Sequence, residues 1–327
     1  MEIVEYMKNT ILVTGGAGFI GSHLCAKLLR LETSVILLDK FQKSLYKKIK
    51  QENISDIKSD PNFTIVDADI SDTRKVAKVF KEQNISYVIH LANSASVSES
   101  IKDPIKTVRT NIIGTISLFE KAVKFKIKHI TFASSALVYG SKAILPMSED
   151  DPCVSLTSPY AVSLRTIELM AQAYNYLYGI PITGLRLFPV IGPKMRQDLF
   201  LPVVVRAISE RKPIRICGDG TTVRTYADID DIVAGIISSI THPFGYQIIN
   251  LGGINPISLL EMIYLVEKIL KTKAEIIFTS ERKEEIPHLY PSIEKAKKIL
   301  GFIPKVTIKD SIKKYIVWYK NGGKDKI

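Results

Sequence analysis

The chain has 327 residues, which is long enough for one large domain or for a domain with a smaller lobe. Apolar residues make up 46% and charged residues 24%, as in soluble globular proteins, and no run approaches the roughly 18 apolar residues of a membrane span. The formal net charge of +12 comes from scattered basic residues without a basic stripe of interleaved aromatics, so we expect neither a membrane nor a nucleic acid as partner.

The N-terminal residues and the cysteines bear on the cellular compartment. Met1 to Lys8 include two glutamates and lack the apolar stretch of a signal peptide. The three cysteines, Cys25, Cys153 and Cys217, are far apart, odd in number and without metal-ligand spacing. This pattern predicts a reduced, cytoplasmic chain without a bound metal.

The first half of the chain alternates short apolar strands with helical segments. We predict strands at residues 10–14, 34–38, 63–66, 87–90 and 129–133. Helical periodicity covers residues 18–31, 72–83 and 108–125. Apolar strands that alternate with amphipathic helices indicate an α/β fold with a doubly wound parallel sheet of the Rossmann type.

The pattern changes after Pro181. Residues 182–188 still resemble a core strand, and helical periodicity returns at residues 201–210, 230–240 and 259–270, with proline- and glycine-rich turns between them. We expect residues 1–181 to form the Rossmann domain. Residues 182–327 should form mainly a smaller α/β substrate lobe, with some segments returning to the Rossmann core, and the polar tail from residue 320 should fray.

A glycine loop follows the first predicted strand and opens the first predicted helix, in the sequence Thr14-Gly15-Gly16-Ala17-Gly18-Phe19-Ile20-Gly21. Gly15, Gly18 and Gly21 permit a tight turn, close approach to a pyrophosphate and packing of the helix on the sheet. Asp39 ends the next strand, where its carboxylate can accept hydrogen bonds from the adenosine ribose and repel a 2′-phosphate. The loop and Asp39 together predict a site for NAD rather than NADP.

Further motifs follow the glycine loop. They are Asp67-Ala68-Asp69-Ile70, His90-Leu91-Ala92, Asn111, Ser134-Ser135 at the end of the fifth strand, Ser158-Pro159-Tyr160-Ala161, and Gly218-Asp219-Gly220 with Arg224. In this order they resemble the extended short-chain dehydrogenase/reductase family, over about residues 9 to 310. Within that family the chain is most similar to nucleotide-sugar 4-epimerases of the UDP-glucose type.

The resemblance implies that NAD is the cofactor, that a UDP-linked nucleotide sugar is the substrate, and that the chain forms a homodimer through residues 108–125 and 160–178. The implied cofactor contacts are Gly15, Gly18, Phe19, Ile20, Gly21, Asp39, Asp69, Ile70, Leu91, Ala92, Asn111, Tyr160 and Phe188. Tyr160 would take the proton of the sugar 4-hydroxyl, and Ser135 would hydrogen-bond the same hydroxyl. Arg224 and Arg282 would bind the substrate diphosphate.

One position departs from the family pattern at the active site. The family has a lysine four residues after the tyrosine, on the side that faces the cofactor, and this chain has Leu164 there. An ammonium about 5 Å away would contribute roughly 3 kcal/mol, or about two pKa units, at an effective dielectric of about 20. Without it, Tyr160 should be mostly protonated at neutral pH. Arg165 should point elsewhere, because a fifth residue lies about 140° round the helix.

Three hypotheses about function remain open. The first is an NAD-dependent UDP-hexose 4-epimerase, either slowed by Leu164 or helped by another cation. The second is a catalytically weak or inactive relative that binds NAD or a nucleotide sugar. The third is a UDP-glucuronate 4-epimerase, which the absence of an arginine near Ser98 disfavours.

The chain lacks the Thr-Asp-Glu motif that sugar 4,6-dehydratases have in place of Ser135-Ala136-Leu137. The substrate lobe also departs from the family pattern at Pro189, Cys217 and Asp228.

Overall fold

The computed structural model describes residues 9–41, 45–242, 245–280 and 286–323. Its strands are β1 Thr10–Thr14, β2 Ser34–Asp39, β3 Phe63–Asp67, β4 Ile85–His90, β5 His129–Ser135, β6 Ile182–Leu187, β7 Val190–Ile191, β8 Ile214–Cys217, β9 Val223–Thr225, β10 Ala227–Asp228, β11 Tyr246–Leu251, β12 Pro256–Ser258, β13 Ile276–Thr279 and β14 His288–Leu289. Its helices are α1 Phe19–Arg30, α2 Leu45–Asn53, α3 Thr73–Glu82, α4 Val97–Lys102, α5 Pro104–Val108, α6 Gly114–Lys124, α7 Pro159–Tyr178, α8 Phe200–Ser209, α9 Ile229–Thr241, α10 Leu259–Leu270, α11 Glu294–Leu300 and α12 Ile308–Lys320.

Seven parallel strands form the central sheet, in the order β11-β6-β5-β4-β1-β2-β3. The chain builds the sheet outward from β1 through β2 to β3, and then returns to the other side of β1 with β4. The direction of winding therefore reverses between β1 and β4. In such sheets the crevice at the carboxyl ends of the strands, at this reversal, is where ligands bind. The predicted doubly wound parallel sheet is confirmed.

Helices cover both faces of the sheet, which explains why its strands are apolar on both sides. On one face, Leu12 of β1 packs in a cluster with Leu118 of α6 and Ile167 of α7. On the other face, Val13 of β1 packs in a cluster with Leu24 of α1. Successive residues of one strand thus enter opposite cores, as the alternation of side chains along a strand requires.

The helix predicted over residues 108–125 has an irregular start. α5 ends at Val108, a π-helical turn follows at Arg109–Ile113, and α6 continues from Gly114. A π-turn accommodates an extra residue within a helix and is frequent at functional sites. Hydrophobic periodicity does not reveal such an insertion, because the apolar residues on either side still fit a helical pattern. The turn contains Asn111, which is fully buried.

A buried ion pair fixes α7 against the sheet. Glu168 of α7 is fully buried and accepts hydrogen bonds from Arg186 of β6, whose Nε and Nη2 both lie at 2.9 Å. Ser134 of β5 donates to the same carboxylate at 2.7 Å. Two neighbouring strands therefore hold the middle of α7, and this sets the position of the helix start, where Tyr160 lies.

The second half of the chain contributes to two regions. Its strands β6 and β11 extend the central sheet. A separate apolar cluster joins α8, α10 and α12 through residues such as Val204, Met262 and Tyr315. The domain boundary at residue 181 stays a prediction. Among the described residues, no helix combines the length and apolar character needed to cross a bilayer.

Candidate active site

The glycine loop joins β1 to α1 at the reversal point of the sheet. Gly15 has φ +70°, and a side chain there would bring its Cβ to 2.7 Å from the backbone nitrogen of Ala92. A side chain at Gly21 would clash with the carbonyl oxygen of Gly15. Gly18 begins α1 in an extended conformation, and its N–H donates to Gly15 at 3.1 Å. Only glycines allow this turn and this close helix contact, and the resulting cradle fits a pyrophosphate at a helix N-terminus.

Asp39 lies beside the glycine loop, as predicted, and it already has protein partners. Its Oδ2 accepts a hydrogen bond from the N–H of Ala17 at 3.0 Å, and its Oδ1 accepts one from Lys50 of α2 at 2.6 Å. The side chain is buried. Asn53 of α2 also donates to the carbonyl of Ala17 at 3.0 Å. The loop, Asp39 and α2 are therefore hydrogen-bonded together at the predicted adenosine end of the site.

Asp69 follows β3 on the same side of the sheet. Its carboxylate pairs with Lys40 at 2.9 Å and accepts hydrogen bonds from the N–H and hydroxyl of Ser71. Burial opposes ionisation of this group, but the hydrogen bonds from Ser71 and the Lys40 ammonium outweigh it, so the pKa of Asp69 is lowered. Ile70, the next residue, is buried and faces Gly114 at the start of α6.

The loop after β4 packs directly against the glycine turn. Leu91 donates its N–H to the carbonyl of Thr14 at 3.0 Å, and Ala92 follows it against Gly15. Asn111 reaches this loop from the π-turn. Its Oδ1 accepts from the N–H of Ser94 at 2.7 Å. The predicted cofactor residues Leu91, Ala92 and Asn111 thus belong to one hydrogen-bonded unit next to the glycine loop.

His90 ends β4 and links the same unit internally. Its Nδ1 lies 2.6 Å from the hydroxyl of Thr14, and its Nε2 lies 2.8 Å from the hydroxyl of Thr115. Burial lowers the pKa of His90 to about 4, so the imidazole is neutral at physiological pH. A neutral ring both donates and accepts, which suits a bridge between two hydroxyl groups.

The remaining apolar residues of the predicted cofactor set occupy two positions. Phe19 and Ile20 form the first turn of α1 and pack against the core between that helix and the sheet. Phe188 follows β6, is buried, and packs against the ring of Tyr139 with centroids 6.2 Å apart. Direct contact of these residues with a cofactor stays a prediction.

Tyr160 begins α7 next to the end of β5. The helix is capped by Ser158, which accepts from the N–H of Ala161 at 3.2 Å, and Ser100 of α4 accepts from the N–H of Tyr160 at 3.2 Å. Burial raises the pKa of Tyr160 to about 12, although a hydrogen bond with Ser135 and the positive charge of Arg196 act in the opposite direction. The structure therefore brings the two predicted catalytic hydroxyl groups together.

Leu164 lies one turn further along α7 and is 1% exposed. It belongs to the apolar cluster that fills the space between α7 and the sheet. Arg165 points away from Tyr160, as predicted: its Nη1 pairs with Glu168 at 2.9 Å and its Nη2 donates to the carbonyl of Pro152. Neither residue takes the place of the lysine that the family has at position 164.

Arg196 is the residue near Tyr160 that the sequence did not reveal. It follows β7, and its Nη1 donates to the carbonyl of Ala95 at 2.7 Å, in the loop between β4 and α4. Its Nε and Nη2 bind the two oxygens of Asp198 at 3.0 and 2.5 Å. The separation of Arg196 from Tyr160 along the chain hides their relation, and the only sequence signal was the charged run after Gly192-Pro193.

The predicted substrate-binding arginines have different outcomes. Arg224 lies on β9 and donates to the backbone carbonyls of Val223 and Pro287 at 2.9 and 3.0 Å. Arg282 lies outside the described residues. The two arginines stay predictions as diphosphate ligands. Cys217, at the end of β8, contacts the hydroxyl of Thr279 at 3.7 Å.

The departure at Asp228 has a structural explanation. Its fully enclosed carboxylate accepts hydrogen bonds from the N–H of Asp230 at the start of α9, from Ser311 at 2.7 Å and from Lys314 at 3.0 Å. Asp228 thus caps α9 and attaches α12 to it. Within the described part of the chain, no group of histidine, cysteine or acidic side chains could hold a metal ion.

Comparisons with known proteins agree with this geometry. Residues 11–252 match the NAD dependent epimerase/dehydratase family. A UDP-glucuronate 4-epimerase of Thermodesulfobacterium geofontis is 36% identical over 312 residues, which cover 95% of this chain and 96% of that protein. The chain of the Bacillus cereus UDP-glucuronic acid 4-epimerase, solved with UDP-glucuronic acid and NAD, superposes with a TM-score of 0.89 at 32% identity, covering 95% and 99% of the two chains. The structure of a Thermotoga maritima UDP-glucose 4-epimerase with UDP-glucose superposes with a TM-score of 0.88 at 28% identity, covering 95% of this chain and 99% of that one.

Proposed function

The chain belongs to the NAD-dependent epimerase/dehydratase family, and we propose that it epimerises a UDP-linked hexose at C4 with NAD as cofactor. The observation that carries this proposal is the position of the Tyr160 hydroxyl beside that of Ser135 at the carboxyl edge of the sheet, next to the glycine loop. A phenol and a hydroxyl in that position can share the proton of one substrate hydroxyl. The relatives with this fold include epimerases of both UDP-glucose and UDP-glucuronate.

NAD, when bound, supplies the acceptor for the hydride of sugar C4. The glycine loop would hold its pyrophosphate, and Asp39 would hold its adenosine ribose. Tyr160 takes the proton of the 4-hydroxyl as the carbonyl forms and returns it after the sugar has presented its other face, while Ser135 orients the oxygen. The same two side chains thus act in both the oxidation of the 4-hydroxyl and the reduction of the carbonyl, as an epimerase requires.

The ionisation of Tyr160 limits the rate that this chain can reach. With a pKa of about 12, the side chain is almost entirely protonated at neutral pH. The family's usual remedy, a lysine at position 164, is replaced by a buried leucine. Arg196 is the cation that acts on Tyr160, and we propose that it partly takes over the role of that lysine. Its ion pair with Asp198 weakens this effect, since the carboxylate offsets the positive charge.

A UDP-hexuronate is the second candidate substrate, and Arg196 is the observation that favours it. A guanidinium near the base that serves the 4-hydroxyl could bind a carboxylate on the neighbouring carbon. The Thermodesulfobacterium geofontis relative carries the name UDP-glucuronate 4-epimerase. A neutral hexose is the expected substrate if Arg196 acts only on the ionisation of Tyr160, and a hexuronate is expected if Arg196 binds the substrate carboxylate.

We also propose that the chain functions as a homodimer through α7. Val162, Leu169 and Tyr176 are spaced seven residues apart on this helix and are 46%, 51% and 88% exposed. Residues seven apart lie on nearly the same helix face. Ile105 and Ile113, on the adjacent helical segment, are also exposed. A stripe of apolar side chains across two neighbouring helices is typical of a protein–protein contact.

An activity assay with paired variants tests the proposed function. The wild type, Leu164→Lys and Tyr160→Phe would each be given UDP-glucose, UDP-N-acetylglucosamine and UDP-glucuronate with NAD. We expect slow turnover of one substrate by the wild type, a gain of about tenfold or more at neutral pH for Leu164→Lys because an ammonium favours the tyrosinate, and none for Tyr160→Phe.

The pattern of results separates the alternatives. Turnover by the wild type excludes a purely binding role. No turnover of any substrate by either the wild type or Leu164→Lys contradicts the epimerase proposal. That result favours the alternative in which the chain only binds NAD or a nucleotide sugar. Preference for UDP-glucuronate over both neutral substrates replaces the hexose by the hexuronate. A thermal-shift measurement with NAD confirms that each variant is folded and binds the cofactor.

A further inference from the structure

The adenosine end of the cofactor site contains two cations as well as its carboxylates. Lys50 Nζ lies 2.6 Å from Asp39 Oδ1 and 3.0 Å from the backbone carbonyl of Lys40. The side chain of Lys40 pairs with Asp69 at 2.9 Å. The Asp39 side chain is 6% exposed, whereas those of Lys50 and Lys40 are 22% and 32% exposed. Lys50 is thus the more accessible partner of its pair, whereas Asp69, at 30%, is as accessible as Lys40.

These distances place Lys50 close to the expected 2′-oxygen of the cofactor ribose. A ribose hydroxyl that donates to Asp39 would lie about 2.8 Å from a carboxylate oxygen. Because Lys50 Nζ is 2.6 Å from Oδ1, a ribose hydroxyl that donates to this same oxygen lies at most about 5.4 Å from the ammonium. A lone carboxylate there repels a 2′-phosphate, but a lysine at this range attracts it.

The position of Lys50 is fixed by the packing of α2. Asn53, one turn further along the helix, donates to the carbonyl of Ala17 in the glycine loop. The ammonium of Lys194 in turn donates to the carbonyl of Asn53 at 2.8 Å. The helix is therefore attached to the cofactor loop and to the segment after β7. Lys50 is held at the ribose, and only its flexible end has to move from Asp39 to a bound phosphate.

We propose that Lys50 makes this site tolerate a 2′-phosphate, so that the chain binds NADP as well as NAD with only a small preference for NAD. Asp67, which accepts from the N–H of Phe41, and Asp69, which pairs with Lys40, limit the positive electrostatic potential at this end of the site. NAD therefore keeps a small advantage in affinity over NADP. The inference deepens the cofactor assignment of the proposed function. It concerns binding alone and does not depend on turnover of a sugar.

Fluorescence titration with NADH and NADPH tests the inference. The proteins are the wild type, Lys50→Gln, and the control Lys48→Gln, which removes an exposed lysine from the same helix. We expect the wild type to bind NADPH within about tenfold of NADH, and Lys50→Gln to bind NADPH about tenfold more weakly while NADH changes by less than about threefold. Lys48→Gln should change neither.

Three results would overturn the inference. The first is NADPH binding by the wild type that is weaker than NADH binding by more than about a hundredfold. The second is an equal loss of both cofactors in Lys50→Gln. The third is tighter binding of both, which would mean that Lys50 only competes with the ribose for Asp39. If the chain turns over no nucleotide sugar yet shows the expected pattern of NADPH binding, the proposed function fails and this inference stands.

Discussion

At Tyr160, the burial that shapes the active site opposes the chemistry expected of it. The phenol lies between α7 and the end of β5, and desolvation raises its pKa to about 12. Leu164 completes the apolar packing of the same helix at 1% exposure. Full burial of a leucine stabilises a fold by about 1.5–3 kcal/mol. This chain therefore gains core packing where the family places a charge that favours the tyrosinate.

The ion pair of Arg196 with Asp198 should control the ionisation of Tyr160. Arg196→Gln removes a positive charge, which raises the pKa of Tyr160, whereas Asp198→Asn removes the charge that offsets Arg196, which lowers it. Since the reaction needs the tyrosinate, activity rises with pH. The rising limb of kcat/KM should move to higher pH in Arg196→Gln and to lower pH in Asp198→Asn, measured from about pH 6 to about pH 10.

Opposite shifts are the signature of an electrostatic role. Loss of structure in the loop after β7 would lower activity in both variants, but it would not move the rising limb of the kcat/KM profile in opposite directions. Arg74→Gln serves as the control, because it removes an exposed arginine of α3. Shifts of the same sign in Arg196→Gln and Asp198→Asn would contradict the assignment. The hydroxyl of Ser135 beside the phenol and that of Ser100, which accepts from the backbone N–H of Tyr160, carry no charge.

Among the elements, α7 carries the proposed base, Tyr160, at its start and the buried Glu168 at its middle. Ser134 and Arg186 bind this carboxylate from β5 and β6. A buried pair of this kind is costly to break, because the remaining charge has no water around it. The network thus positions Tyr160 through the rigid helix, with no contact between Glu168 and the reacting atoms.

Glu168→Ala should destabilise the protein by about 3–5 kcal/mol, since it leaves the Arg186 guanidinium buried without its counter-charge. Urea unfolding followed by circular dichroism measures the change in the free energy of unfolding. Glu82→Ala is the matched control, because it breaks the exposed ion pair with Lys78 and should cost less than about 1 kcal/mol. Equal costs for the two variants would show that the buried pair does not hold α7 in place.

The sequence predicted the regular elements better than their interruptions. Six of the seven strands of the sheet and the glycine loop are local patterns: apolar runs, and glycines required by sterics at Gly15 and Gly21, whereas the edge strand β11 was not predicted. The π-turn at Arg109–Ile113 was not predictable, because the apolar residues around it fit an ordinary helix. The structural role of Asp228 was not predictable, because its partner Ser311 is distant in the chain. Arg196 was missed for the same reason. Its relation to Tyr160 exists only after β5, α7 and the segment after β7 have packed together.

On the scale of the whole molecule, the reversal of strand order between β1 and β4 organises the site. It opens the crevice at which the glycine loop, the loop after β4 and the end of β5 meet. The opposite side of α7 faces away from this crevice and carries the exposed apolar stripe. One helix can therefore present the base inward and an association surface outward, provided that a second copy covers the stripe.

Leu169→Glu should separate the proposed homodimer, because it places a charge at the centre of the α7 stripe, where Leu169 is 51% exposed in the single chain. Sedimentation velocity of the wild type and the variant measures the oligomeric state. Ile303→Glu, at a site 52% exposed that follows Phe302 of the apolar cluster shared by α9 and α11, is the control and should leave the mass unchanged. A monomeric wild type, or a variant that stays dimeric, would remove α7 as the interface and leave its exposed leucine, valine and tyrosine without a partner of this kind.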